Sequence, residues 1–92
     1  MNDEIWSLYL VRCADNTLYC GIAKGSIERR VAMHNAGRGA QYTKFRTPVK
    51  LVYSEICGEQ GTALRREFHV KRMSRERKED LIRGGARPRL MR

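Results

Sequence analysis

Cysteine, proline and histidine are all scarce in this 92-residue chain, at three, two and two residues. Cys13, Cys20 and Cys57 are odd in number, lie in apolar, strand-like segments and form no Cys-x-x-Cys spacing. That argues against a zinc site and against a disulfide framework, and for a reduced, intracellular protein. His34 and His69 form no metal pair at helical spacing. No apolar run approaches the roughly 20 residues of a membrane span, and Met1-Asn2-Asp3-Glu4 lacks a basic leader. The expectation is a soluble, cytoplasmic protein with no membrane partner. A Walker-type phosphate loop is missing, since Gly37-Arg38-Gly39 is too short to be one. Ser7, Ser26, Ser54 and Ser74 lack a hydrolase elbow. Serine hydrolase, nucleoside triphosphatase and zinc enzyme are all disfavoured.

What the chain does have is positive charge, unevenly spread. The net is +9. Residues 1–23 carry one basic and three acidic residues, residues 24–64 seven and three, and residues 65–92 eleven and four. A nearly neutral N-terminal third followed by basic segments suits a polyanion such as DNA, with RNA also possible. The bland alternative is a basic surface that only aids solubility.

Length allows one domain over residues 1–92. Ile5 to Cys13 reads as a strand, Ala14 to Thr17 as a turn and Leu18 to Ala23 as the return strand of a hairpin. Gly21 inside that strand implies a bulge or a close approach of backbone to something else. Ser26 can cap a helix from Ile27 to Ala36, which Gly37 ends. A long basic loop, Gly37 to Pro48, leads to a third strand, Val49 to Cys57. Thr62 to Met73 reads as an amphipathic helix with Leu64, Phe68 and Val70 on or near one face. Ser74 can cap a last helix, Arg75 to Arg83, before a frayed basic tail over 86–92. The order ββαβαα predicts an α+β domain, helices flanking a small three-stranded antiparallel or mixed sheet.

Five residues stand out as candidate chemistry. The hairpin can bring Tyr9 and Tyr19 to one sheet face, although strand tyrosines are commonly structural. Arg30 and His34, four apart, share a helical face turned inward by Ile27 and Val31. An arginine there is unusual unless it is paired or lines a cleft. Glu67 sits at the edge of its helix's apolar stripe, and either pairs with Lys71 or serves as a magnesium ligand. Two phenols, a guanidinium and one carboxylate form a plausible kit for cutting a phosphodiester with one metal ion.

In order and spacing these residues resemble the GIY-YIG nuclease superfamily, in its short single-domain bacterial branch. Relatives include the nuclease domain of the bacterial excision-repair endonuclease and phage homing endonucleases. Ser7-Leu8-Tyr9 stands where the family has GIY, keeping only the tyrosine, and Tyr19-Cys20-Gly21 stands where it has YIG. Arg30 falls at the family's helix arginine, His34 at a histidine found one turn later, and Glu67 at the metal-binding glutamate. The GRGAQYTKFRTP loop is also similar to that branch. The resemblance implies a DNA endonuclease dependent on Mg²⁺ or Mn²⁺, with Tyr9, Tyr19, Arg30, His34 and Glu67 catalytic and Glu67 holding the metal. Tyr42, Thr43, Lys44, Arg46 and Lys71 would contact nucleic acid. Members that cut at defined sites usually add a DNA-binding domain, so little sequence specificity is expected here. The rivals are a non-catalytic nucleic-acid-binding module of the same fold and a small basic partner of a ribosome or repair complex.

Overall fold

In β1 (Trp6–Arg12), four successive residues, Leu8, Tyr9, Leu10 and Val11, have no exposure at all. Side chains alternate across a strand, so β1 is covered on both faces and must be central. The computed structural model, which describes residues 4–84, places it there. The sheet order is β2-β1-β3, with β2 (Leu18–Lys24) and β3 (Lys50–Gly58) both antiparallel to β1. The domain is α+β in the order ββαβαα, as expected. Element ends fall within two residues of those read from sequence, and the basic tail over 86–92 lies outside the described residues. No described helix is long and apolar enough to cross a membrane.

The hairpin turn is built by its own side chains. Thr17 donates to Asp15 Oδ1 from its backbone N–H (3.1 Å) and its hydroxyl (2.6 Å), while Asn16 takes a left-handed φ of 71°. Helix α1 (Ile27–Asn35) starts where Ser26 Oγ accepts the N–H of Arg29 at 3.1 Å. Ile27 and Val31 dock it on the sheet face that carries Tyr9, Val11, Cys13 and Ala23. Helices α2 (Gln60–Lys71) and α3 (Arg75–Gly84) cover the opposite face, where Leu8, Leu10 and Cys20 meet Val70, Leu81 and Ile82.

Helix α2 departs from the expected stripe. Its buried residues are Ala63 and Val70, whereas Leu64 and Phe68 are 48% and 58% exposed. Two features outweigh the larger apolar side chains. Ala63 lets the helix approach the sheet closely, and Arg66 grips Glu55 of β3 through two bonds of 2.6 and 3.2 Å. This rotation turns Glu67 inward, to 19% side-chain exposure.

Helix α3 is anchored by a second pair. Arg12 of β1 meets both oxygens of Glu79 at 2.9 Å, and Arg75 meets Glu79 as well. These bonds, those from Arg12 foremost, hold the Glu79 carboxyl down at about 2 rather than 4.5. A carboxyl depressed in the folded state stabilises it above the unfolded value, and that contribution is lost as pH falls towards the folded one. Glu79→Gln should therefore show a lower urea midpoint than the wild type at pH 7. The gap should narrow between pH 4.5 and about 2. Equal midpoints at pH 7 would show that α3 docks without this pair.

Candidate active site

The site is organised around a buried histidine. His34, in the last turn of α1, is wholly enclosed, and its Nε2 lies 2.7 Å from the Tyr9 hydroxyl. Its Nδ1 lies 2.7 Å from Thr43 Oγ1 in the long loop. Two glycines make room for this arrangement. A Cβ on Gly21 would stand 2.5 Å from the Tyr9 hydroxyl, and one on Gly39 would stand 2.2 Å from His34 Nδ1. The close approach expected at Gly21 is thus the Tyr9 ring crossing over the neighbouring strand, since Tyr9 and Gly21 are cross-strand partners.

Tyr19 occupies the exposed edge of the sheet, because β2 has only one neighbour. Its ring meets His34 edge-on at 5.4 Å and stacks on Tyr42 at 5.8 Å. Arg46 lies over Tyr42 at 4.0 Å, bonded to Asp15 (3.0 Å) and to the Tyr42 carbonyl (2.7 Å). On its other side, Tyr19 has the Lys71 ammonium 5.9 Å from its ring centre, and Lys71 pairs with Glu67 at 3.3 Å. Helices on opposite sheet faces thereby reach around one strand edge to the same phenol.

Arg30 is half-buried on α1, and its Nε is buried without a hydrogen-bond partner among the described residues. Burial raises the pKa of Tyr9, and the neighbouring Arg30 guanidinium acts against it. Burial likewise raises Tyr19, with Lys71 and Arg30 opposing and Glu67 reinforcing it. His34 is shifted down, first by burial and then by Arg30, which favours the neutral imidazole. Among the described residues no group of three or more metal-ligating side chains occurs. Glu67, half-buried and paired with Lys71, offers one carboxylate. This fits a hard cation that keeps most of its shell as water and phosphate.

The structure brings Tyr9, Tyr19, Arg30 and His34 together along one face of α1. Glu67 joins through Tyr19 and Lys71, with no hydrogen bond or ion pair to the other four. The residues expected to contact nucleic acid divide differently. Thr43 is fully buried behind His34 and cannot touch a ligand at the surface. Arg46 is committed to Asp15 and the Tyr42 carbonyl, while Tyr42, in contact with Tyr19 and Arg46, stays exposed. Lys44 and Lys71 are exposed. Sequence reasoning missed Asp15 as the anchor of Arg46 and Gly39 as the seat of His34. Only the tightly spaced glycines before Thr43 signalled the latter.

The description of the GIY-YIG catalytic domain matches residues 5–80 of the chain. A UPF0213 protein of Staphylococcus saprophyticus is 49% identical over 78 residues, covering 85% of this chain and 94% of that one. One from Natronomonas pharaonis is 48% identical over 75 residues, covering 82% and 87%. The solution structure of a UPF0213 protein from Bacillus halodurans superposes with a TM-score of 0.57. It shares 33% identity over 91% of this chain and 88% of that one.

If Gly21 exists to admit the Tyr9 ring, Gly21→Ala must push that ring off His34. Urea denaturation should show a loss of about 1–3 kcal/mol, as for overpacked cores. The Tyr9 and His34 side-chain resonances should move together. Unchanged stability and unchanged resonances would mean that the strands part without disturbing the pair.

Proposed function

The chain belongs to the GIY-YIG catalytic-domain family, among the UPF0213 proteins, and from that footing we propose that it is a divalent-metal-dependent DNA endonuclease with little intrinsic sequence specificity. The observation that carries the reading is Arg30. A buried guanidinium nitrogen without an acceptor costs about 1–3 kcal/mol, which a bound phosphate oxygen would offset. It lies beside two phenols, on a chain of net charge +9.

In this reading Arg30 meets the negative charge that grows on the non-bridging oxygens during in-line attack. Tyr19, the phenol that is only partly buried, faces the attacking water and takes its proton as the new P–O bond forms. The leaving oxygen keeps the electron pair of the broken bond and is protonated from solvent. Tyr9 and His34, both enclosed, hold the arginine end of the site in place. Mg²⁺ or Mn²⁺ held by Glu67 would supply Lewis-acid charge at the scissile phosphate. Lys44 and Lys71 hold flanking phosphates, which makes binding steeply salt-dependent. A non-catalytic binding module of the same fold is the alternative, favoured by the Glu67–Lys71 pair being a complete ion pair on its own.

The test is cleavage of single-stranded, duplex and branched DNA, and of RNA, in Mg²⁺, Mn²⁺ or EDTA. Cutting should need metal and should fall by at least about a hundredfold in Glu67→Ala and Arg30→Ala, an amount typical of a lost transition-state donor. Both variants should keep the wild-type fold, checked by circular dichroism. Binding without cutting on every substrate would establish the non-catalytic module.

Burial raises the Tyr19 pKa, so the phenolate fraction below that value grows about tenfold per pH unit. Cleavage should accordingly climb with pH above neutrality, and Tyr19→Phe should flatten the climb. A rate independent of pH from 7 to 9 would remove Tyr19 from the base role.

A further inference from the structure

Thr43 is the one fully buried side chain of the long loop, and its hydroxyl touches the ring that the site is built on. A neutral imidazole carries one N–H, so the direction of each hydrogen bond around His34 is a question of proton accounting. Two arrangements are possible.

In the first, Tyr9 O–H donates to Nε2, Nδ1–H donates to Thr43 Oγ1, and the Thr43 hydroxyl donates to the Ala40 carbonyl at 3.1 Å. Each of these protons has an acceptor. The Ala40 carbonyl also takes the Thr43 backbone N–H at 3.2 Å, which its two lone pairs allow.

In the second, the proton sits on Nε2, and Nδ1 accepts from Thr43 Oγ1 and from the Ala40 N–H at 3.4 Å. That arrangement strands the Tyr9 hydroxyl hydrogen. Tyr9 is fully enclosed, His34 is the hydrogen-bond partner of its hydroxyl among the described residues, and the nearby Arg30 has donors only. A stranded buried hydroxyl costs about 1–3 kcal/mol. What the first arrangement gives up is one long bond from a half-buried amide. The first therefore wins.

We propose that Thr43 is a positioning residue that fixes His34 as the Nδ1–H tautomer, so that Tyr9 turns its hydrogen towards His34 and its lone pairs towards Arg30. The chain of bonds then runs one way, from Tyr9 through His34 and Thr43 to the Ala40 carbonyl. Its near end presents an electron-rich oxygen to the guanidinium, which steadies Arg30. Burial and the Arg30 charge both keep His34 neutral, as the arrangement requires. Gly39 belongs to the same device, since any side chain there would displace Nδ1 from Thr43.

The tautomer can be read without any turnover. Long-range ¹H–¹⁵N correlation of ¹⁵N-histidine-labelled protein resolves the two histidines, with exposed His69 as an internal reference. Wild type and Thr43→Ser should show His34 with Nδ1 protonated and Nε2 bare. In Thr43→Val the acceptor of Nδ1–H is gone while the Ala40 N–H remains, so the population should move to Nε2–H. An Nε2–H wild type, or an unchanged tautomer in Thr43→Val, overturns the proposal. If Thr43→Val does not fold, the wild-type spectrum and Thr43→Ala decide the question in the same way.

A kinetic consequence rests on the nuclease reading. Thr43→Val should lower kcat about tenfold with KM nearly unchanged, and Thr43→Ser should restore it. Absence of cleavage in the wild type would sink the nuclease reading and leave the tautomer assignment standing. An Nε2–H wild type that cuts DNA would do the reverse.

Discussion

The hydrogen bond between Tyr9 and His34 is the constraint on which the other features of the site depend. It joins the central strand to α1 at a point fully shielded from water, where a lost partner cannot be replaced by solvent. To form it, the tyrosine ring must pass over β2, which requires a residue without a side chain at position 21. The imidazole must lie against the loop, which requires the same at position 39. Once both rings are set, Tyr19 can pack edge-on against His34, and Arg30 is left beside two phenols with a buried nitrogen unfilled. Sterics at two glycines thus fix the electrostatics at an arginine.

The sheet explains how such a site can draw on both of its faces. A three-stranded sheet has a single central strand, so either neighbour is an edge, and helices on opposite faces can both overhang it. Helix α1 brings Arg30 and His34 to β2 from one side, and α2 brings Glu67 and Lys71 from the other. Tyr19, on that edge, feels the charge of Arg30, Lys71 and Glu67 together. The ion pairs that hold α2 and α3, Arg66 with Glu55 and Arg12 with Glu79, lie on the face away from His34.

Much of this was legible in the residues. Short runs rich in β-branched and aromatic residues marked the strands, Ser26 marked the start of α1, and Gly21 within a strand announced a close approach. Arg30 and His34 were picked out by sharing an inward face. Three things were not legible, each for a physical reason. The stripe Leu64, Phe68 and Val70 misdirected α2, because hydrophobicity was counted without the Arg66–Glu55 pair that sets the helix's rotation. Thr43 and Arg46 resembled surface ligands because they sit in a basic loop, yet one is buried against His34 and the other is held by Asp15, 31 residues earlier. Long-range polar pairs of that kind have no periodicity, so no local pattern reports them.

The central claim is that Glu67, on one side of the sheet, and Tyr19, Arg30 and His34, reached from the other, serve one centre. It is tested most directly by Mn²⁺ titration, following paramagnetic broadening of amide resonances in complex with an oligonucleotide that resists hydrolysis. Broadening is expected at Glu67, Tyr19 and Arg30 together, and Glu67→Ala should abolish it. Broadening confined to other acidic positions such as Glu76 and Asp80, or at Glu67 without Tyr19 and Arg30, would contradict it.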